Sequence, residues 1–121
     1  MKLTLLIAAI VLTFTSPTFA HDAKPRHGGR VVEASERHVE MVAKDSTLDV
    51  YLRDHDDKPL KLTGYKGVAI LSIEGKSQRI VLEPAGDSQL SGKAAAALPA
   101  QPKGVVQLTP PGGRVINAKF D

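Results

Sequence analysis

The chain has 121 residues, with 16 Lys and Arg against 13 Asp and Glu, four His, no Cys and no Trp. This composition excludes a disulfide-stapled scaffold, thiolate zinc sites, iron–sulfur clusters and a cysteine nucleophile, and the length allows one domain. Aromatic residues make up 4% of the chain, too few for the stacking platforms that bind single-stranded nucleic acid.

The first twenty residues have the pattern of a secretory signal peptide. A basic Met1-Lys2 head precedes an apolar run over residues 3–14, and small residues at positions 18 and 20 form a small-x-small cleavage site. The run is shorter than the ~20 residues of a membrane span, and an uncleaved anchor is the alternative. We predict cleavage after Ala20, which gives a periplasmic mature chain of residues 21–121 without stable membrane insertion.

Cleavage would remove one charge, that of Lys2. The mature chain would then carry 15 basic minus 13 acidic residues, or +2, with the two signs interspersed. No basic stripe suggests nucleic acid and no acidic block suggests a tail, so we expect no nucleic-acid partner.

Residues 21–29 are polar, with Pro25 and a Gly pair, and predict a flexible N-terminal arm that carries two His. Residues 30–121 consist of short β-branched runs between turn signals, which predict a single all-β domain. The runs that predict strands are 30–34, 38–44, 47–53, 67–73, 78–83, 89–92, 104–109 and 114–120. Leu60 and Leu62 could add a short edge piece, and Ala94 to Ala97 could form a helical turn or a loop.

Seven or eight short antiparallel strands predict an immunoglobulin-like β-sandwich, with a small barrel as the alternative. Alternation along 38–44 places Val39, Met41 and Ala43 on one face and His38, Glu40 and Val42 on the other. Along 47–53 it directs the three aliphatic residues inward, and the residues directed outward are Asp49, Tyr51 and Arg53.

The four His, at positions 21, 27, 38 and 55, are the main chemical signal. Without Cys, the available metal ligands are imidazole and carboxylate, which suit Cu(II), Zn(II) and Ni(II). As the new N-terminus, His21 could chelate a metal through its α-amine and Nδ1, and His27 could supply a second imidazole. An incidental N-terminal His is the alternative. Ala23 occupies the third mature position, where the amino-terminal copper and nickel motif requires His.

Two further candidates lie downstream. His38 and Glu40 are two apart on one predicted strand and could form half of a metal site, although these two residues alone favour a solvated outer face. His55 lies among three Asp in a predicted turn, where weak Zn or Cu binding competes with an ordinary role of Asp in turns. An EF-hand is excluded, because Pro59 and Tyr65 stand where that loop requires Gly and Glu.

Catalytic motifs are absent from the sequence. It contains no G-x-S-x-G elbow, no H-E-x-x-H pair and no Gly-rich phosphate loop. We therefore expect a binding protein rather than an enzyme.

Three segments, 27–33 (HGGRVVE), 38–42 (HVEMV) and 50–59 (VYLRDHDDKP), together resemble a known pattern. They are similar to small exported bacterial proteins and to the N-terminal periplasmic segment of heavy-metal efflux adaptor (membrane-fusion) proteins. The resemblance implies a periplasmic domain that handles copper, zinc, cobalt or nickel and works with an efflux adaptor or pump component. By position, His27, His38 and Glu40 match the polar residues of the pattern. The family commonly has Gly where this chain has Asp57.

The chain is also similar in architecture to periplasmic copper carriers, small exported sandwiches with an N-terminal His on Cu(II), a position that His21 would fill. We expect a periplasmic protein that binds a divalent transition metal, copper or zinc, as a carrier, buffer or accessory to heavy-metal efflux and resistance. The alternative is a structural or protein-interaction module without a metal role. A covered His38–Glu40–Val42 face would favour that alternative.

Overall fold

The computed structural model describes residues 23–121, so the predicted signal peptide and His21 lie outside the described residues. Within this range the structure contains strands and no helix, which confirms the all-β prediction. They are β1 (Arg30–Ala34), β2 (Arg37–Lys44), β3 (Thr47–Arg53), β4 (Lys66–Ile73), β5 (Lys76–Pro84), β6 (Gln89–Lys93), β7 (Lys103–Thr109) and β8 (Ile116–Phe120). The alanine-rich stretch after β6 is irregular, in agreement with the loop alternative.

The eight strands form one antiparallel sheet in the order β1-β2-β3-β6-β5-β4-β7-β8. Its two ends approach each other. Arg30 at the start of β1 donates from Nη2 to the main-chain oxygen of Asp121 at 2.6 Å, and its guanidinium lies 5.9 Å from the centre of the Phe120 ring. The sheet therefore almost closes on itself, and the architecture is that of the small-barrel alternative. Such closure leaves little free strand edge for association with other chains.

The sheet has a narrow seam between β5 and β6. Only Glu83 with Ser91 and Pro84 with Leu90 are paired there, at the ends of the two strands. The seam divides the sheet into a first half of β1, β2, β3 and β6 and a second half of β5, β4, β7 and β8. The arm lies on the first half, and the second half has a separate outer surface.

One core lies between the halves, because alternate residues of every strand point inward. Its largest fully buried aliphatic and aromatic side chains are Phe120, Leu48, Leu52, Leu62, Leu71, Ile80, Leu82, Leu90, Leu108, Ile116 and Val39. Full burial of such a side chain stabilises the fold by about 1.5–3 kcal/mol. The predicted inward faces of β2 and β3 are confirmed, since Val39, Met41, Leu48, Val50 and Leu52 are all buried.

The segment after β3 differs from the predicted edge piece. It makes a single bridge, between Arg53 and Pro59, and does not continue as a strand. Leu62 is nevertheless fully buried, and its N–H donates to the carbonyl oxygen of Asp87 at 2.7 Å. This irregular segment therefore closes part of the core by side-chain packing rather than by strand pairing.

Candidate functional site

Glu40 lies on the outer face of β2 and is fully buried. Residues 26–29 of the N-terminal arm cover it. Its Oε1 accepts the main-chain N–H of Arg26 at 3.0 Å, and its Oε2 accepts those of His27 at 2.8 Å and Gly29 at 3.1 Å. A buried carboxylate requires such donors, and hydrogen bonds to a charged group are stronger than neutral ones. Both oxygens of Glu40 are thus engaged by the arm, the segment for which the sequence predicts flexibility.

The Gly pair of the arm makes this approach possible. Gly28 has a φ of +78°, a backbone conformation that most side chains avoid. A Cβ added at Gly29 would overlap the carbonyl oxygen of Met41 on β2. The HGG part of the sequence pattern therefore has a structural explanation, since Gly28 permits the positive φ and Gly29 permits the close approach of the arm to β2.

His27 is exposed, and its ring is stacked on Tyr51 of β3. The ring centres are 3.6 Å apart and the planes differ by 10°. Tyr51 stands opposite Glu40 in the register of β2 and β3. Burial and the nearby carboxylates of Asp49 and Glu40 raise the pKa of Tyr51 above its ordinary value. The hydrogen bonds that hold the arm use the main chain of His27 and not its ring nitrogens.

Asp57 joins three cationic or basic side chains beside the arm. Its Oδ2 lies 2.8 Å from Arg26 Nη2, and its Oδ1 lies 3.2 Å from both His38 Nδ1 and Arg53 Nε. Desolvation raises the pKa of Asp57, but the hydrogen bond with His38 and the charges of Arg53 and Arg26 outweigh it and hold the pKa below its ordinary value. His38 is thus oriented toward Asp57 through Nδ1 rather than toward Glu40.

Arg53, at the end of β3, is only 3% exposed. Its Nη2 donates to the carbonyl oxygen of Lys24 at 3.0 Å, whereas Nη1 has no hydrogen-bond partner among the described residues. Arg53 thus holds the arm at Lys24, and Glu40 holds it at residues 26–29. Alternation places Arg53 on the outer face, but the arm buries that end of the face.

Arg53 and Asp57 are the residues of this site that sequence reasoning missed. One signal was present: Arg53 and Asp57 are four apart across a predicted turn, and such a turn can return a carboxylate to the strand end. The structure shows this turn, in which Asp54 Oδ1 accepts the N–H groups of Asp56 and Lys58, both at 2.9 Å. The Asp-rich turn over residues 54–57 therefore has the ordinary structural role of Asp in turns, which was the alternative to metal binding.

His55 lies at the exposed tip of the same turn. Its Nε2 is 3.4 Å from Asp56 Oδ2, and both side chains are well exposed. Among residues 23–121, no three His, Asp or Glu side chains converge in a group that could hold a metal ion. Of the predicted ligands, the structure brings His27, His38 and Glu40 onto one face, each with a different set of contacts, and leaves His55 at its margin.

Comparisons of the chain with protein-family models, with curated proteins and with solved structures find no match. Within residues 23–121 no helix has the length and apolar character needed to cross a membrane. The functional assignment therefore depends on the residues themselves and on the geometry of the arm.

Proposed function

We propose that the mature chain binds one divalent transition-metal ion, Cu(II) or Zn(II), through His21 and His27 in the periplasm. In this role it would serve as a carrier, a buffer or an accessory to heavy-metal efflux. The observation that supports the proposal is the fixed position of His27, whose main chain is bonded to Glu40 and whose ring is stacked on Tyr51. A ligand that is already ordered loses less conformational entropy when the metal binds.

The length of the chain allows His21 to supply the second imidazole. Arg53 holds the carbonyl oxygen of Lys24, and His21 and His27 each lie three residues from Lys24 along the chain. Three residues span at most about 10 Å, a length that permits both imidazoles to bind one ion. Cleavage after Ala20 would add the α-amine of His21, which completes a three-nitrogen set suited to Cu(II).

The proposed pair does not require the other predicted ligands. Glu40 organises the arm, because both of its oxygens already accept main-chain N–H groups. His38 directs Nδ1 at Asp57, beside two arginines whose positive charge opposes the approach of a cation. His55 stands apart at the turn tip and provides a matched control.

Calorimetric titration of the protein comprising residues 21–121 with Cu(II) and with Zn(II) tests the proposal. We expect one metal per chain, and a loss of affinity of about tenfold or more in both His21→Ala and His27→Ala. His55→Ala should retain the wild-type affinity. Equal affinities in all four proteins, or wild-type binding no tighter than that of an unrelated peptide with four His, would refute it.

The second candidate is a structural or protein-interaction module with no metal role. The covering of Glu40 by the arm favours it, because the face that carries His38 and Glu40 is occupied by main chain. Under this alternative His27 only packs on Tyr51, so His27→Ala would lower stability and leave metal affinity at the level of an unrelated peptide. The same titration, followed by urea unfolding of each variant, separates the two candidates.

A further inference from the structure

We propose that a groove on the outer face of the second half of the sheet docks an apolar segment with acidic flanks from a partner protein. The groove has a volume of about 670 Å³ and lies across the outer faces of β4, β5 and β7. The side chains that shape it include those of Tyr65, Val68, Val81, Thr109 and Val115. It is separate from the arm and its histidines, which lie on the first half.

Exposed apolar side chains line part of the groove. The large hydrophobic side chains that are exposed among the described residues are Val81 at 53%, Val115 at 49% and Ile70 at 39%. Val81 and Val115 line the groove itself, whereas Ile70 lies outside it. Isolated exposed aliphatic residues need no explanation, but their concentration beside a recess marks an interaction surface.

The outer face of the second half carries more cations than anions. The exposed charged residues at outward positions of β4, β5, β7 and β8 are four cations and one anion, namely Lys66, Arg79, Lys103, Lys119 and Glu83. Lys66, Arg79 and Glu83 border the groove directly, so its charged lining is two cations and one anion, a net charge of +1. Charge complementarity therefore favours an occupant with negative charge at the ends of an apolar stretch.

The shape and composition of the surface favour a peptide over a membrane. Proteins that lie on membranes place aromatic residues, above all Trp and Tyr, at the lipid interface. The chain has no Trp, and one Tyr, Tyr65, lines the groove. A recess accepts individual side chains, whereas a lipid surface is best matched by a projecting apolar patch.

Recognition would occur through side chains. Strand β4 is hydrogen-bonded to β5 on one side and to β7 on the other, so the floor of the groove has no free strand edge. An added strand of the kind that many peptide-binding domains accept is therefore excluded at this position. The partner segment must insert apolar side chains near Val81 and Val115 while its acidic ends face Lys66 and Arg79.

Fluorescence anisotropy of the full mature chain with a labelled peptide tests this proposal. The probe alternates Val and Leu in its centre and has two Asp at each end, and a second probe carries Lys in place of Asp. We expect the acidic probe to bind, and Lys66→Glu and Val81→Ser each to weaken it about fivefold or more. The lysine probe should bind at least about tenfold more weakly than the acidic one.

Two variants serve as matched controls. Lys44→Glu makes the same charge reversal on an exposed strand residue of the first half, and Ile70→Ser removes an exposed aliphatic group outside the groove. Both should bind the acidic probe as the wild type does. Equal binding of the two probes, equal loss in Lys44→Glu and Lys66→Glu, or no binding at all would overturn the proposal. A further contradicting result would be a wild-type protein that does not bind the acidic peptide but binds phosphatidylglycerol vesicles, with the vesicle binding abolished by Val81→Ser.

Discussion

The main-chain N–H of His27 donates to Oε2 of Glu40 at 2.8 Å, which joins the arm to the outer face of β2. This bond explains why a carboxylate is fully buried on a face that alternation assigns to solvent. It also fixes the position of the histidine that we propose as a metal ligand. Glu40 thus acts on the site indirectly, through the main chain of the arm, and this relationship leads to several measurable consequences.

Glu40→Gln should release the arm. The amide retains one acceptor oxygen but places an NH₂ group where N–H donors now point, so at least one main-chain group loses its partner. We expect a loss of about 1–3 kcal/mol in the free energy of unfolding, measured by urea denaturation. Trypsin should also cleave after Arg26 faster than in the wild type. Glu33→Gln, the same change at an exposed position of β1, should alter neither quantity.

Gly29→Ala should have a larger effect than Gly28→Ala. An added Cβ at Gly29 overlaps the Met41 carbonyl oxygen, so the arm must move away from β2. At Gly28 the space is open, and alanine meets only the cost of a positive φ, about 1–2 kcal/mol. Proteolysis after Arg26 distinguishes the two variants, because only Gly29→Ala should expose the arm. Equal cleavage rates in both variants would contradict the close contact with Met41.

Asp57 should make the fold sensitive to acid. Its pKa in the folded protein lies below the ordinary value of 3.8, so its contribution to stability is complete above that pH. The contribution is lost as the pH falls through the lower, folded pKa. Asp57→Asn should therefore lower stability at neutral pH and flatten its decline below about pH 4, measured by urea unfolding. Asp56→Asn is the control and should keep the wild-type decline.

Leu62→Ala should be strongly destabilising although Leu62 lies outside every strand. Its side chain is fully buried, and removal of such a side chain costs about 2–5 kcal/mol. Leu60→Ala, two residues earlier at a partly exposed position, should cost clearly less. Thermal unfolding followed by circular dichroism measures both. Similar losses would mean that the irregular segment does not pack as described.

The strands were predictable because apolar residues alternate along β2 and β3, and turn residues separate most runs. The closure of the sheet was not, since no local pattern indicates that Arg30 reaches Asp121, 91 residues away. The burial of Glu40 and Arg53 could not be predicted from the sequence either. Alternation reports the face of a strand but not what covers it, and here a polar arm without apolar periodicity provides the cover. The Gly pair by itself predicts a flexible arm, whereas the close contact of Gly29 with β2 is a tertiary property.

The most direct test of the proposed metal site uses Tyr51 as a reporter. The chain has two Tyr and no Trp, and the His27 ring lies 3.6 Å from that of Tyr51, so bound Cu(II) should quench Tyr51 emission. We predict saturable quenching at one equivalent of Cu(II) in the wild type and in His55→Ala. In His27→Ala and in Tyr51→Phe this quenching should be absent. Undiminished, saturable quenching in His27→Ala would contradict the proposed site.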